Sequence, residues 1–175
     1  MLIADTYLGH REEDRIASRL AETDTHRVTL SDTDRRRSHV RTETHEGREL
    51  GVAVGRILGD GAVLETESGA LVVVDLEPIE VLVLGFDGSD VAATTALELG
   101  HVIGNRHWEL TIRETAALIR GGESLERMEA VLSESLPAGV AIHHERVLPT
   151  TFDEAPEPHG HGDGHTHSHG HGVER

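Results

Sequence analysis

The residues in this chain best suited to chemistry are histidines. His107 stands between Arg106 and Trp108 at the end of Leu99-Gly100-His101-Val102-Ile103-Gly104-Asn105-Arg106-His107-Trp108. His159, His161, His165, His167, His169 and His171 crowd the C-terminus and make up six of the chain's 14 histidines. Cysteine is absent, which excludes disulfides, iron–sulfur clusters and thiolate metal sites. A metal is left with imidazole, carboxylate and backbone oxygen, a donor set that suits nickel, copper and zinc. The tail histidines alternate with small residues, so a flexible chain can wrap several imidazoles round one ion, with Asp163 adding an oxygen. Protons compete for the same nitrogens, so that binding should weaken below about pH 6.

Other chemistry finds little support. There is no two-histidine-plus-carboxylate helix motif, no nucleophile–base arrangement and no glycine-rich phosphate loop, so no enzymatic activity is expected. His101 lies six residues before His107, about 240° round a helix axis, and does not share its face. His10, His26, His39 and His45 are scattered among polar positions and read as ordinary histidines without a metal role.

Charge narrows the partners. Acidic residues number 32 against 16 basic ones, a net charge of −16, and every basic residue is arginine. This pattern suits a high-salt cytosol, where repulsion is screened within about 3 Å at 1 M salt, or a GC-rich genome with an acidic proteome. Either way it argues against nucleic acid and acidic membrane as partners. No apolar run approaches the roughly 20 residues of a membrane span, and Met1 to Asp5 do not resemble a signal peptide. The expected location is the cytoplasm.

The elements that position these residues read as α+β. Val28 and Leu30 share one strand face, Ser31 to Asp34 read as a turn, and Arg35, Arg37, His39 and Arg41 at spacing two fall on one face of an extended strand. That face is either a solvated edge or a docking surface for an acidic partner protein. Turns at Glu46-Gly47, Gly59-Asp60-Gly61 and Glu67-Ser68-Gly69 separate further short strands. Residues 1–76 therefore form a small antiparallel β domain. Residues 77–149 change rhythm: a strand at Ile79 to Leu84, a turn at Gly85 to Gly88, and a helix capped by Ser89 or Asp90 with the stripe Val91, Thr95, Leu99 and Val102. That helix should end near Gly104 in a left-handed cap. Strands at Trp108 to Arg113 and Thr115 to Ile119 follow. A helix from Ser124 to Leu136 and a strand from Val140 to Leu148 complete βαββαβ, the ferredoxin-like order. Residues 150–175 hold few apolar residues and read as a disordered histidine-rich tail.

Three features together resemble the urease accessory protein E family. They are Gly104-Asn105-Arg106-His107 after a helix, the segment running from Ser31-Asp32 through Arg35, Arg37, Arg41, Gly47, Leu50-Gly51 and Gly59-Asp60-Gly61, and the histidine-rich C-terminus. The resemblance implies a nickel metallochaperone that delivers Ni(II) to apo-urease. It implies a homodimer with an N-terminal docking domain and a ferredoxin-like metal-binding domain, working with other urease accessory proteins including the nickel-insertion GTPase. It makes His107 the interfacial ligand, one from each subunit, and Arg35, Arg37 and Arg41 part of the docking surface. Members often carry further histidines on the strand after this motif, whereas Thr115 to Arg120 here hold none. His143 and His144, or the tail, are candidates to complete the site. Zn(II) and Cu(II) also suit such donors. The alternative is a general nickel/zinc buffer or metal-binding folding factor acting through the tail.

Overall fold

The computed structural model describes residues 1–86 and 91–153. Part of the expected Gly85 to Gly88 turn, the caps Ser89 and Asp90 and all six tail histidines lie outside the described residues.

Strands β1 (Leu2–His10), β2 (Thr25–Leu30), β3 (Val40–Glu43), β4 (Glu49–Val52), β5 (Ala62–Thr66) and β6 (Leu71–Leu76) form one sheet in the order β2-β6-β5-β1-β4-β3. One face buries Val28, Leu30, Leu50, Leu64, Val72 and Val74. Helix α1 (Asp14–Glu22) covers the other through Ile16, which packs on Val63, Leu71 and Val73. Burial on both faces explains why β5 and β6 carry near-continuous apolar runs. The sheet is mixed, not antiparallel as expected: β1 runs parallel to β4, and β2 to β6. Parallel pairs need crossover connections, and both join segments far apart in sequence, where strand alternation carries no information about direction.

A second correction concerns the arginines. Ser31 Oγ accepts the Asp34 N–H at 3.1 Å and donates to Asp34 Oδ2 at 2.9 Å. This side-chain N-cap turns Asp32–Arg35 into a helical turn, α2. The next strand begins only at Val40, so Arg35, Arg37 and His39 share no strand face with Arg41. Arg35 is fully buried and cannot be a docking residue. Arg37 is exposed and donates to Asp34 at 3.0 Å; Arg41 is exposed on the edge strand β3.

The second sheet contains β7 (Ile79–Gly85), β8 (Glu109–Arg113), β9 (Ala116–Arg120) and β10 (Ala141–Val147) in the order β10-β7-β9-β8, with antiparallel neighbours throughout. Helices α3 (Ala93–Asn105) and α4 (Leu125–Ser133) pack on one face, where Leu82, Leu84, Leu99, Ile103, Trp108, Ile119, Met128 and Leu132 form the core. Strand–helix order and sheet order together are those of the split βαβ motif. On the other face Val81, Val83, Leu118, Val147 and Phe152 cluster, Phe152 coming from a 3₁₀ turn at Pro149–Phe152. No helix among the described residues is long and apolar enough to cross a membrane.

An ionic network joins the two sheets. Arg35 grips Asp153 with two hydrogen bonds, 2.8 and 2.6 Å, and donates through Nε to Asp32 at 2.6 Å. Arg36 donates to both carboxylates, at 3.1 and 2.9 Å. From β9, Arg120 donates to Asp32 at 2.8 Å and to Glu109 at 2.6 Å, and its guanidinium lies 4.8 Å from the Phe152 ring centroid. Burial alone would raise the Asp32 pKa, but the bonds from Arg35 and Arg120 outweigh it and hold the carboxyl below its usual range. For Asp153 the Arg35 hydrogen bond is the largest influence, and it too is lowered.

Candidate metal-binding site

The route to His107 begins in α3. Leu99 and Ile103 bury that helix against the sheet, and the chain leaves it through a two-bond cap. The His107 N–H donates to the Gly104 carbonyl at 3.0 Å, and the Trp108 N–H donates to the Ile103 carbonyl at 3.3 Å. This is a Schellman closure, in which the residue after the cap adopts a left-handed conformation. That residue is His107, with φ at 55°, not Gly104, which lies inside the helix. The left-handed cap expected near Gly104 thus falls three residues later, on an L-residue. Left-handed backbone costs a non-glycine residue about 1 kcal/mol, so His107 stands where glycine would be less strained.

The closure has an apolar lock: Ile103 and Trp108 are both buried in the same core cluster, as the motif favours. Gly121, at the end of β9, has the Trp108 ring against its backbone; a Cβ there would lie 2.5 Å from Cδ1. The Trp108 indole N–H is buried and finds no acceptor among the described residues. Arg106 lies 5.4 Å from the Trp108 ring centroid and 3.8 Å from Glu123.

The His107 side chain is exposed and makes no hydrogen bond or ion pair among the described residues, so the imidazole is not consumed by a core contact. It lines an open cavity of about 400 Å³ together with Asp32, Glu80, Glu109, Arg120, Gly121 and Gly122. Arg120 already holds Asp32 and Glu109. The donors left in the cavity are the His107 imidazole and the Glu80 carboxylate, groups that a borderline divalent ion can take together. Among the described residues no three His, Asp or Glu side chains converge as a ready metal cage. An incomplete site of this kind leaves coordination positions open, unlike a closed structural site.

The remaining histidines lie elsewhere. His143 and His144 are on β10, opposite Val83 and Leu82 of β7, and neither lines the His107 cavity. His144 Nε2 is 3.0 Å from Glu129 Oε2 on α4. His101 is exposed on α3 and bonds Asn105 at 2.9 Å, apart from His107 as its helical angle requires. His10 bonds the Asp60 carbonyl at 2.9 Å and His45 bonds Thr29 at 2.9 Å. His26 is buried. Its Nε2 is 2.8 Å from Arg48, which can only donate, so Nε2 accepts and Nδ1 faces Glu46 at 3.2 Å. Glu80 and Arg120 carried no sequence signal: cross-strand neighbours bring them to the cavity.

Comparison with known proteins identifies the family. The model of the UreE urease accessory protein C-terminal domain matches residues 81–172, a span that begins in β7 and contains His107. A urease accessory protein UreE of Natronomonas pharaonis is 32% identical over 114 residues, covering 63% of this chain and 53% of the relative. UreE proteins of Yersinia intermedia and Edwardsiella ictaluri are 26% identical over 142 and 156 residues, covering 75% and 83% of this chain and 63% and 69% of theirs. The chain thus spans about half the length of the first relative and under two thirds of the second. With the matched domain covering more than half of its residues, the chain belongs to the UreE family of urease accessory proteins.

Proposed function

We propose that this chain is a nickel metallochaperone that binds Ni(II) at His107 and delivers it to apo-urease, with no catalytic cycle of its own. The observation carrying this reading is the exposed, unpartnered imidazole of His107, held at a strained backbone position inside the family-matched domain. In this reading residues 1–76 dock partners and residues 77–149, the ferredoxin-like domain, hold metal and pair into a homodimer. Exposed Leu97 and Ile112, 74% and 72% accessible, support self-association, as does an apolar groove of about 290 Å³ between α3 and the β8–β9 pair. Two copies would bring two His107 imidazoles to one ion. Docking of urease and the other accessory proteins, the nickel-insertion GTPase among them, falls to exposed Arg37 and Arg41. The protein works in the cytoplasm. The tail histidines gather metal, and zinc and copper compete for the same nitrogens.

A second reading, a nickel/zinc buffer or metal-binding folding factor acting through the tail, is favoured by one observation: the described residues supply only His107 as an unpartnered imidazole in the cavity. A nickel titration with mass measurement separates the two. The sample is the full-length chain with its six tail histidines changed to alanine. About half an equivalent of nickel per chain on a twofold dimer, lost in His107→Ala, supports the carrier. Loss of all binding on removing the tail histidines leaves the buffer.

A further inference from the structure

We infer that Glu80 is a second ligand of this chain for the metal bound by His107, supplying a carboxylate oxygen; this rests on the carrier reading of His107. Three carboxylates line the His107 cavity, and two are taken. Asp32 and Glu109 are both held by Arg120, at 2.8 and 2.6 Å, and Asp32 also by Arg35. Glu80 is exposed and has no hydrogen bond or ion pair among the described residues, although Arg146 sits directly across from it on β10.

The backbone brings Glu80 and His107 to one place. The β7–β9 ladder ends with Leu82 opposite Ile119, and just beyond that end Glu80 and Gly121 line the cavity together. Gly121 is the residue against which the Trp108 ring lies, and His107 precedes Trp108. Strand alternation puts Glu80 on the same sheet face as Leu82, which shares the Trp108 cluster. Glu80 and His107 line the same open cavity, to which Gly121 and Gly122, just past the end of β9, add no side chain. A borderline divalent ion accepts nitrogen and oxygen together, and an unpaired carboxylate offsets part of its charge. In a dimer the site would hold two imidazoles and two carboxylates.

The test uses the full-length chain with the six tail histidines changed to alanine, titrated with nickel(II) alone. Glu80→Gln should bind nickel at least about tenfold more weakly, with unchanged thermal unfolding because Glu80 supports no fold contact. Glu80→His should restore affinity and move the ligand-field bands of bound nickel to shorter wavelength, because a nitrogen replaces an oxygen. Unchanged affinity in Glu80→Gln, or unmoved bands in Glu80→His, overturns the inference while His107→Ala still abolishes binding. Retained binding in His107→Ala overturns the carrier reading itself, and this one with it.

Discussion

Asp153, the last described residue, is held by charge, and cutting the chain before or after it should have different outcomes. Asp153 is 31% exposed, and its partner Arg35 is completely buried. In Asp153→Ala, Arg35 loses two hydrogen bonds and keeps Asp32 and the Leu58 carbonyl, at 2.6 and 3.3 Å. Removing one partner of a buried pair costs about 3–5 kcal/mol; the surviving Asp32 bond and the partial exposure of Asp153 argue for the lower end, about 3 kcal/mol. For a chain of this size that is a fall in Tm of roughly 6–12 °C. A chain stopped after Thr151 also loses Phe152, buried in the Val81–Leu118 cluster, and should fall further. A chain stopped after Asp153 should melt with the full-length protein. Circular dichroism melts of the three at one salt concentration make the comparison. The sign with pH follows from the lowered Asp153 pKa: its contribution is complete above the unfolded value of about 3.9 and is lost as pH falls through the lower folded value. The gap between wild type and Asp153→Ala should therefore be full at pH 7 and close in acid. If the chain stopped after Thr151 melts with the full-length protein, the clamp does not hold the fold.

Three further outcomes follow from the same geometry. His107→Gly should relieve the left-handed backbone and gain about 0.5–1 kcal/mol, part of the strain being offset by unfolded-state entropy, while His107→Ala gains nothing; a destabilised glycine variant would mean that the imidazole makes a fold contact. Gly121→Ala puts a Cβ 2.5 Å from the Trp108 ring and should cost about 1–3 kcal/mol as overpacking; Trp108 is the chain's one tryptophan, so an unshifted fluorescence maximum would count against the contact. Raising salt from 0.1 to 1 M shortens the screening length from about 10 to 3 Å, so a chain of net charge −16 should melt higher, because the clamp residues Arg35, Asp32 and Arg120 are buried enough to escape most of that screening.

What could be read from the residues depended on how local the cause was. Strands β5 to β10 and helices α3 and α4 follow from alternation, stripes and turn residues within a dozen positions, and the second sheet's order follows from its βαββαβ sequence. The parallel pairs of the first sheet do not, since β1 meets β4 and β2 meets β6 across long intervening stretches. Arg35 was misassigned because arginine at spacing two looks like a strand, whereas the deciding feature was the Ser31–Asp34 cap. Its partner Asp153 lies 118 positions away, beyond any periodicity. His107 was visible as a candidate by residue type. Its left-handed backbone was not, because Gly104 offered the more obvious cap.

The way His107 is held bears on what a site built on it can do. Its backbone is fixed by two hydrogen bonds to the end of α3 and by the neighbouring Trp108 against Gly121, so its Cα has little freedom. Its ring is fixed by nothing among the described residues. Ligand histidines in tight sites donate the second ring N–H to a carboxylate or carbonyl, which sets the ring's orientation and raises its basicity. An imidazole without that partner must give up rotamer freedom when it binds, which lowers affinity and leaves the metal easier to remove. For a protein proposed to hold nickel only until another takes it, a fixed backbone places the donor while a loose ring limits how firmly it keeps the ion. Adding a carboxylate partner for the free ring nitrogen should therefore slow nickel transfer to a chelator, and an unchanged transfer rate would show that ring freedom does not set release.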